Sequence, residues 1–143
     1  MAGKKDIRLS SASRKVLDAL AETIIPSEED RPGALDTEMV DRLLEWLGQV
    51  PGAAGAFVAY CWLWELTPLF AGKFSRLSRL SLEERTEVLE GWEHSGLMLR
   101  RYTLLSIKGI FMAVFYNDPA VWKEIGYEPG CLSDPPEPVK TRC

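Results

Sequence analysis

The stretch from Phe74 to Tyr127 constrains the fold of this chain more than any other. It opens with Ser81-Leu82-Glu83-Glu84, a capping box in which the Ser81 hydroxyl and the Glu84 carboxylate each satisfy an open backbone N–H of the first helical turn. Val88, Leu89 and Trp92 then form an inward stripe, with Glu83, Glu84, Arg85, Glu87 and Glu90 expected to face water. Gly91 and Gly96 weaken the pattern and predict a kink or a close helix contact. A second helical pattern runs from Leu97 to Tyr116. Asp118 before Pro119 is an N-cap followed by a first-position proline, and it opens a short helix that Gly126 stops. Capped helix, apolar helix, short capped helix and aromatic end together predict a helical hairpin with Trp122 and Tyr127 folded back on it.

The N-terminal half continues the same architecture. Ser10 or Ser11 caps a first helix whose apolar residues Val16, Leu17, Leu20, Ala21, Ile24 and Ile25 recur at three and four, and Pro26 ends it. After an acidic loop with Pro32 and Gly33, a second helix starts near Asp36 or Thr37 and buries Met39, Val40, Leu43, Leu44, Leu47 and Val50, with Trp46 off the stripe. A third begins around Ala53 and has almost no polar face through Leu66, so it is either central to the core or covered by a partner. Phe70, Phe74 and Leu77 are expected to insert side chains, while Lys73, Arg76 and Arg79 stay wet. With 143 residues the chain fits one core that buries roughly 68% of the unfolded surface. The fold class is therefore all-α, a single compact domain of about five helices over residues 1–127, with an extended Pro-rich tail over residues 128–143.

Composition excludes more than it assigns. At 46% hydrophobic and 27% charged residues the chain is that of an ordinary globular protein, and a net charge of −4 argues against nucleic acid as a partner. Cys61, Cys131 and Cys143 are too scattered for a disulfide framework or a zinc motif. The N-terminus lacks the apolar core of a signal peptide, and the apolar window Ala53–Trp64 is too short to span a bilayer, so a cytoplasmic protein without a transmembrane segment is expected. Dinucleotide, phosphate-loop, zinc-protease and haem-attachment motifs are all missing, which leaves no catalytic residue, cofactor or metal ligand assigned. His94 is the one histidine and has no recognisable companion for general-base work. Glu28-Glu29-Asp30 reads as a solvated loop. The aromatic residues around Tyr60, Trp62 and Trp64 are either core or the anchors of a protein interface.

A family resemblance adds a function. Leu9-Ser10, Thr23-Ile24-Ile25-Pro26 and Pro32-Gly33-Ala34, then Phe74, Leu80 to Arg85, Val88-Leu89, Trp92 and Ser95, then Lys108, Phe115-Tyr116, Asp118-Pro119, Trp122 and Ile125-Gly126-Tyr127, resemble the gluconate 2-dehydrogenase subunit 3 family from about Leu9 to Tyr127. A similar segment precedes the flavin domain of long-chain alcohol oxidases. The resemblance implies a non-catalytic accessory subunit, not an enzyme on its own. Such a subunit binds and stabilises a glucose-methanol-choline type flavoprotein large subunit that carries FAD and oxidises an alcohol or a sugar, with a cytochrome as candidate electron acceptor. On that reading Trp64, Trp92, Tyr116, Trp122 and Tyr127 form the partner interface. Two departures stand out: the twin-arginine signal common in that family is not found, and Glu128-Pro129-Gly130 replaces its usual proline-glycine-proline. The alternative from the residues is a free-standing helical binding protein with an apolar pocket for a lipid-like ligand.

Overall fold

A computed structural model of the chain describes residues 9–128; the extended-tail expectation, Cys131 and Cys143 lie outside the described residues. Seven α-helical segments follow one another, α1 (Ser11–Ile24), α2 (Met39–Gly48), α3 (Ala53–Glu65), α4 (Thr67–Phe70), α5 (Leu82–Glu93), α6 (Met98–Phe115) and α7 (Pro119–Ile125). Two 3-10 turns, Ala34–Asp36 and Leu77–Arg79, sit between them, and among the described residues there is no strand. The molecule is all-α, and the five longer helices carry the domain.

The hub is α1 rather than the α5–α6 hairpin, because α1 packs against α2, α3, α5 and α6 and against both 3-10 turns. Its sequence permits this. Val16, Leu17, Leu20 and Ala21 are buried, and Ala19 on the flank is small enough to let α5 approach. Ser10 caps α1 by accepting from the Ser13 N–H at 3.2 Å. Phe57, Cys61 and Trp64 of α3, Leu43 and Leu44 of α2, Val88 and Leu89 of α5, and Leu104, Ile107, Phe111 and Val114 of α6 complete one core. Burying a side chain of that size is worth about 1.5–3 kcal/mol, so the stripes set the packing.

The polar seams of this core were not visible in the sequence. Arg85 is buried rather than wet. Its guanidinium donates to the Ala19 carbonyl at 2.9 Å and pairs with Glu22 at 2.8 Å, bolting α5 to α1. Glu65, also buried, accepts from the backbone N–H and the hydroxyl of Ser78 and so fastens the end of α3 to the second 3-10 turn. In the loop after α1, the Asp36 carboxylate accepts from the Ser27 hydroxyl and the Gly33 N–H at 2.8 Å, and these donors hold it below the usual carboxylate range.

Three expectations change at the chain's middle. The glycine-weakened region is a break, with α5 ending at Glu93 and α6 starting at Met98. Of Phe70, Phe74 and Leu77 only Leu77 enters the core, because the turn through Gly72 (φ +75°) carries Phe70 and Phe74 to the outside. Finally, α3 and α4 prolong the apolar window to Ala53–Phe70, 18 residues of mean hydropathy 1.2, of which a third is buried (33%). By length and composition that run reaches a membrane span, yet here it is divided at Leu66 and lays Phe57, Cys61 and Trp64 into the core.

Candidate docking surface

The Asp118-Pro119 signal produces the best-defined surface feature. The Asp118 carboxylate caps α7 by accepting from the Ala120 N–H at 2.9 Å through Oδ1, and Arg42 of α2 pairs with the same oxygen at 3.3 Å. Gly126 ends the helix in the left-handed region at φ +68°, where a side chain would be strained, and the Tyr127 N–H turns back to the Trp122 carbonyl at 2.8 Å. The Trp122 indole N–H donates to the Tyr116 carbonyl at 2.6 Å, and its ring meets that of Tyr127 edge-on at 5.9 Å. Tyr116, Trp122 and Tyr127, expected together at an interface, are thus brought together, with Tyr116 and Tyr127 about half exposed (52% and 53%).

Trp64 and Trp92 are placed elsewhere. Trp64 has no exposed surface (0%) and is therefore a core residue in this chain, not a surface anchor. The reason is rotational. With apolar residues nearly all round α3, the sequence leaves the helix's facing undetermined, and packing against α1 and α2 turns Trp64 inward. Its indole packs on that of Trp92 at 4.7 Å, and its N–H has no hydrogen-bond partner among the described residues. Trp92, half-buried, is covered on its outer side by the Arg100 guanidinium at 5.5 Å, which also lies 6.0 Å from Phe70.

Two outer apolar faces remain, one on α3, where the sequence left core and partner-covered both open, and one on α6, which the sequence did not separate from the inward stripe. On α3, Ala56, Ala59, Leu63 and Leu66 are all exposed, and between Ala53 and Trp64 no residue is charged. On α6 the inward stripe is Leu104, Ile107, Phe111 and Val114, while Met98, Tyr102, Leu105, Gly109, Met112 and Tyr116 are all exposed. That outer series alternates steps of four and three, the narrow seam of a coiled coil rather than the broader stripe of a core-facing helix. The signal was present in the sequence as a second apolar stripe on a helix that needed only one. Tyr116 ends the seam and joins it to Trp122 and Tyr127.

The groups with chemical potential are dispersed. His94 ends α5 in solvent, its Nδ1 3.0 Å from the Glu90 carbonyl. Lys108 pairs with Glu93 at 3.0 Å and holds that carboxylate below its ordinary range. Glu28, Glu29 and Asp30 are exposed, and among the described residues no three of His, Cys, Asp and Glu gather closely enough for a metal ion. A hollow of about 270 Å³ lies between α5 and α6 beside Met98 and Lys108. Another of about 470 Å³ lies between the end of α1, the Pro26–Pro32 loop and α7. Neither is lined by α3, where the sequence had suggested a lipid pocket.

Comparison with protein-family models, with curated proteins and with solved structures returns no match.

Proposed function

We propose that this chain is a non-catalytic accessory subunit that binds and stabilises an FAD-dependent alcohol or sugar dehydrogenase large subunit of the glucose-methanol-choline type. The observation that carries the reading is the outer seam of α6 running from Met98 to Tyr116 and into the Trp122–Tyr127 pair. A helix with one apolar face in its own core and a second left in water is suited to cover a complementary surface on another protein. The motif resemblance over Leu9 to Tyr127 supplies the kind of partner, a flavoprotein with FAD in its own fold and a cytochrome beyond it. Binding only the folded, flavin-loaded large chain would stabilise that form by mass action.

Co-expression with a flavoprotein large chain of the glucose-methanol-choline type tests the reading. The expected outcome is a soluble, flavin-loaded large chain that co-purifies with this one, and loss of both in a Met112→Glu, Tyr116→Glu variant that melts normally by itself. Equal flavin content and solubility with and without this chain would end the reading. The apolar-ligand alternative keeps one supporting observation, the hollow of about 470 Å³ with Ile24, Ile25, Phe115 and Val121 in its wall, and a purified monomer carrying a bound apolar molecule would favour it.

A further inference from the structure

The outer side of α3 and α4 repeats with a period that packing in the core does not require. Ala56, Ala59, Leu63, Leu66 and Phe70 follow one another in steps of three and four, the spacing of a coiled-coil seam, and every one is exposed, Leu63 to 48% and Phe70 to 67%. Leu66, where the two helices meet, keeps right-handed helical backbone (φ −93°, ψ −8°), so α4 carries the stripe on from α3. The residues beside the seam, Gly55, Tyr60, Trp62, Thr67 and Leu69, carry no charge either. Glu65 is the one charged residue from Ala53 to Phe70, and it is buried away from the seam against Ser78.

Size and charge along this stripe are those of a surface that fits itself. Side chains are small where it starts, at Ala56 and Ala59, and large where it ends, at Leu63, Leu66 and Phe70. When two copies lie antiparallel about an axis between Leu63 and Leu66, Leu63 of one meets Leu66 of the other and Ala59 meets Phe70, so volume is shared evenly among the layers. A parallel pair would instead stack Phe70 on Phe70 and leave a gap between the alanines. Arg100, over the Phe70 ring, and the Lys73–Glu87 pair stand at the Phe70 end. The antiparallel pair sets the two Phe70 positions about 16 Å apart along the axis, beyond the screening length of about 8 Å at physiological salt. The parallel one would bring the two Arg100 side chains together. A partner with charges along its contact helix would have to bury them unpaired on this face, whereas a second copy brings none.

We propose that α3 and α4 form the interface of a homodimer, two copies packed antiparallel about a two-fold axis between Leu63 and Leu66. The same residues serve on both sides, as a two-fold interface requires. The run of 18 residues is about 27 Å long and covers less than the roughly 1,200 Å² of a standard interface. The dimer is therefore a weak one that dissociates in the micromolar range. It does not use the seam of α6, so the inference goes beyond the proposed function and does not depend on it.

Sedimentation equilibrium of the full chain, alone, across the micromolar range is the first test. A monomer–dimer equilibrium is expected, and Leu63→Glu should raise its dissociation constant about tenfold or more by bringing an unpaired charge from each copy into the contact. The thermal melt of dilute protein should not move, since the Leu63 side chain is half exposed. Met112→Glu with Tyr116→Glu, on the α6 seam, should leave the equilibrium as it is. In a Cys131→Ser, Cys143→Ser background, oxidising a mixture of Ala59→Cys and Phe70→Cys should yield a cross-linked pair. Phe70→Cys alone should yield little, because a disulfide needs Cα atoms within about 7 Å. A chain that stays monomeric at every concentration overturns the proposal, and so does a dimer lost in the α6 variant but kept in Leu63→Glu. Cross-linking of Phe70→Cys to itself in place of the mixed pair would make the pairing parallel and overturn the antiparallel interface.

Discussion

Arg85 has charged neighbours on both sides along the chain and still ends up inside, because its partners are the Ala19 carbonyl and Glu22, more than sixty residues away (sequence separations 66 and 63). Arg85→Ala should cost about 2–3 kcal/mol in urea unfolding, since it leaves Glu22 without its partner where the two helices meet. Trp64→Ala should cost about 3–5 kcal/mol, the range for emptying an aromatic site in a core, and that loss in the isolated chain separates a core residue from an interface one. Burial pushes the Cys61 thiol up to about 12. The unfolded thiol, with its ordinary value near 9, gives up its proton first, so stability is intact below that value and declines as pH climbs toward the folded one. In a Cys131→Ser, Cys143→Ser background, Cys61 should be inert to a thiol-alkylating reagent in native buffer and react fully in urea. The burial of Cys61 could be anticipated from the apolar run that holds it, whereas the Arg85 and Trp64 environments depend on what lies across the core: a carbonyl on α1 and the facing of an all-apolar helix.

Elements were legible where their instructions are local. Ser10, the Ser81–Glu84 box, and the Asp118, Pro119 and Gly126 signals act within one turn of themselves, and the structure has helices beginning or ending at each. The α6 seam was half legible, since its apolar residues were visible while which of two stripes faces inward was not. Gly109 sits in that seam with nothing within 4 Å of an added methyl. Gly109→Ala should raise the stability of the isolated chain by about 0.5–1 kcal/mol, read as a higher melting temperature, and should weaken any helix-on-helix contact that uses the gap. The Gly33 position behaves oppositely. A methyl there would lie 2.4 Å from the Ser27 nitrogen and 2.7 Å from the Pro26 carbonyl carbon, both backbone, so Gly33→Ala should destabilise by about 1–3 kcal/mol through overpacking. The same loop depends on the Asp36 carboxylate. Its folded value is depressed, so its contribution is present above the ordinary carboxylate range and fades as pH falls through the lowered value, and Asp36→Ala should flatten that acid limb.

At the scale of the whole molecule, α1 is surrounded by α2, α3, α5 and α6, and the apolar residues left over are displaced to α3, α6 and the corner at Phe74. Length and periodicity made one core predictable, and the second apolar stripe on α6 was the sign that the described residues carry more apolar surface than one core absorbs. That surplus accounts for both an outer seam and a protruding corner on a chain of this size. The meeting of Trp64 and Trp92 at 4.7 Å has a practical corollary. Two indoles held so close should couple their electronic transitions, and a paired circular-dichroism band that vanishes once α5 lifts from α3 is the expected signature. The molecule therefore carries a dye-free gauge of its own tertiary closure, readable while the helices are still wound.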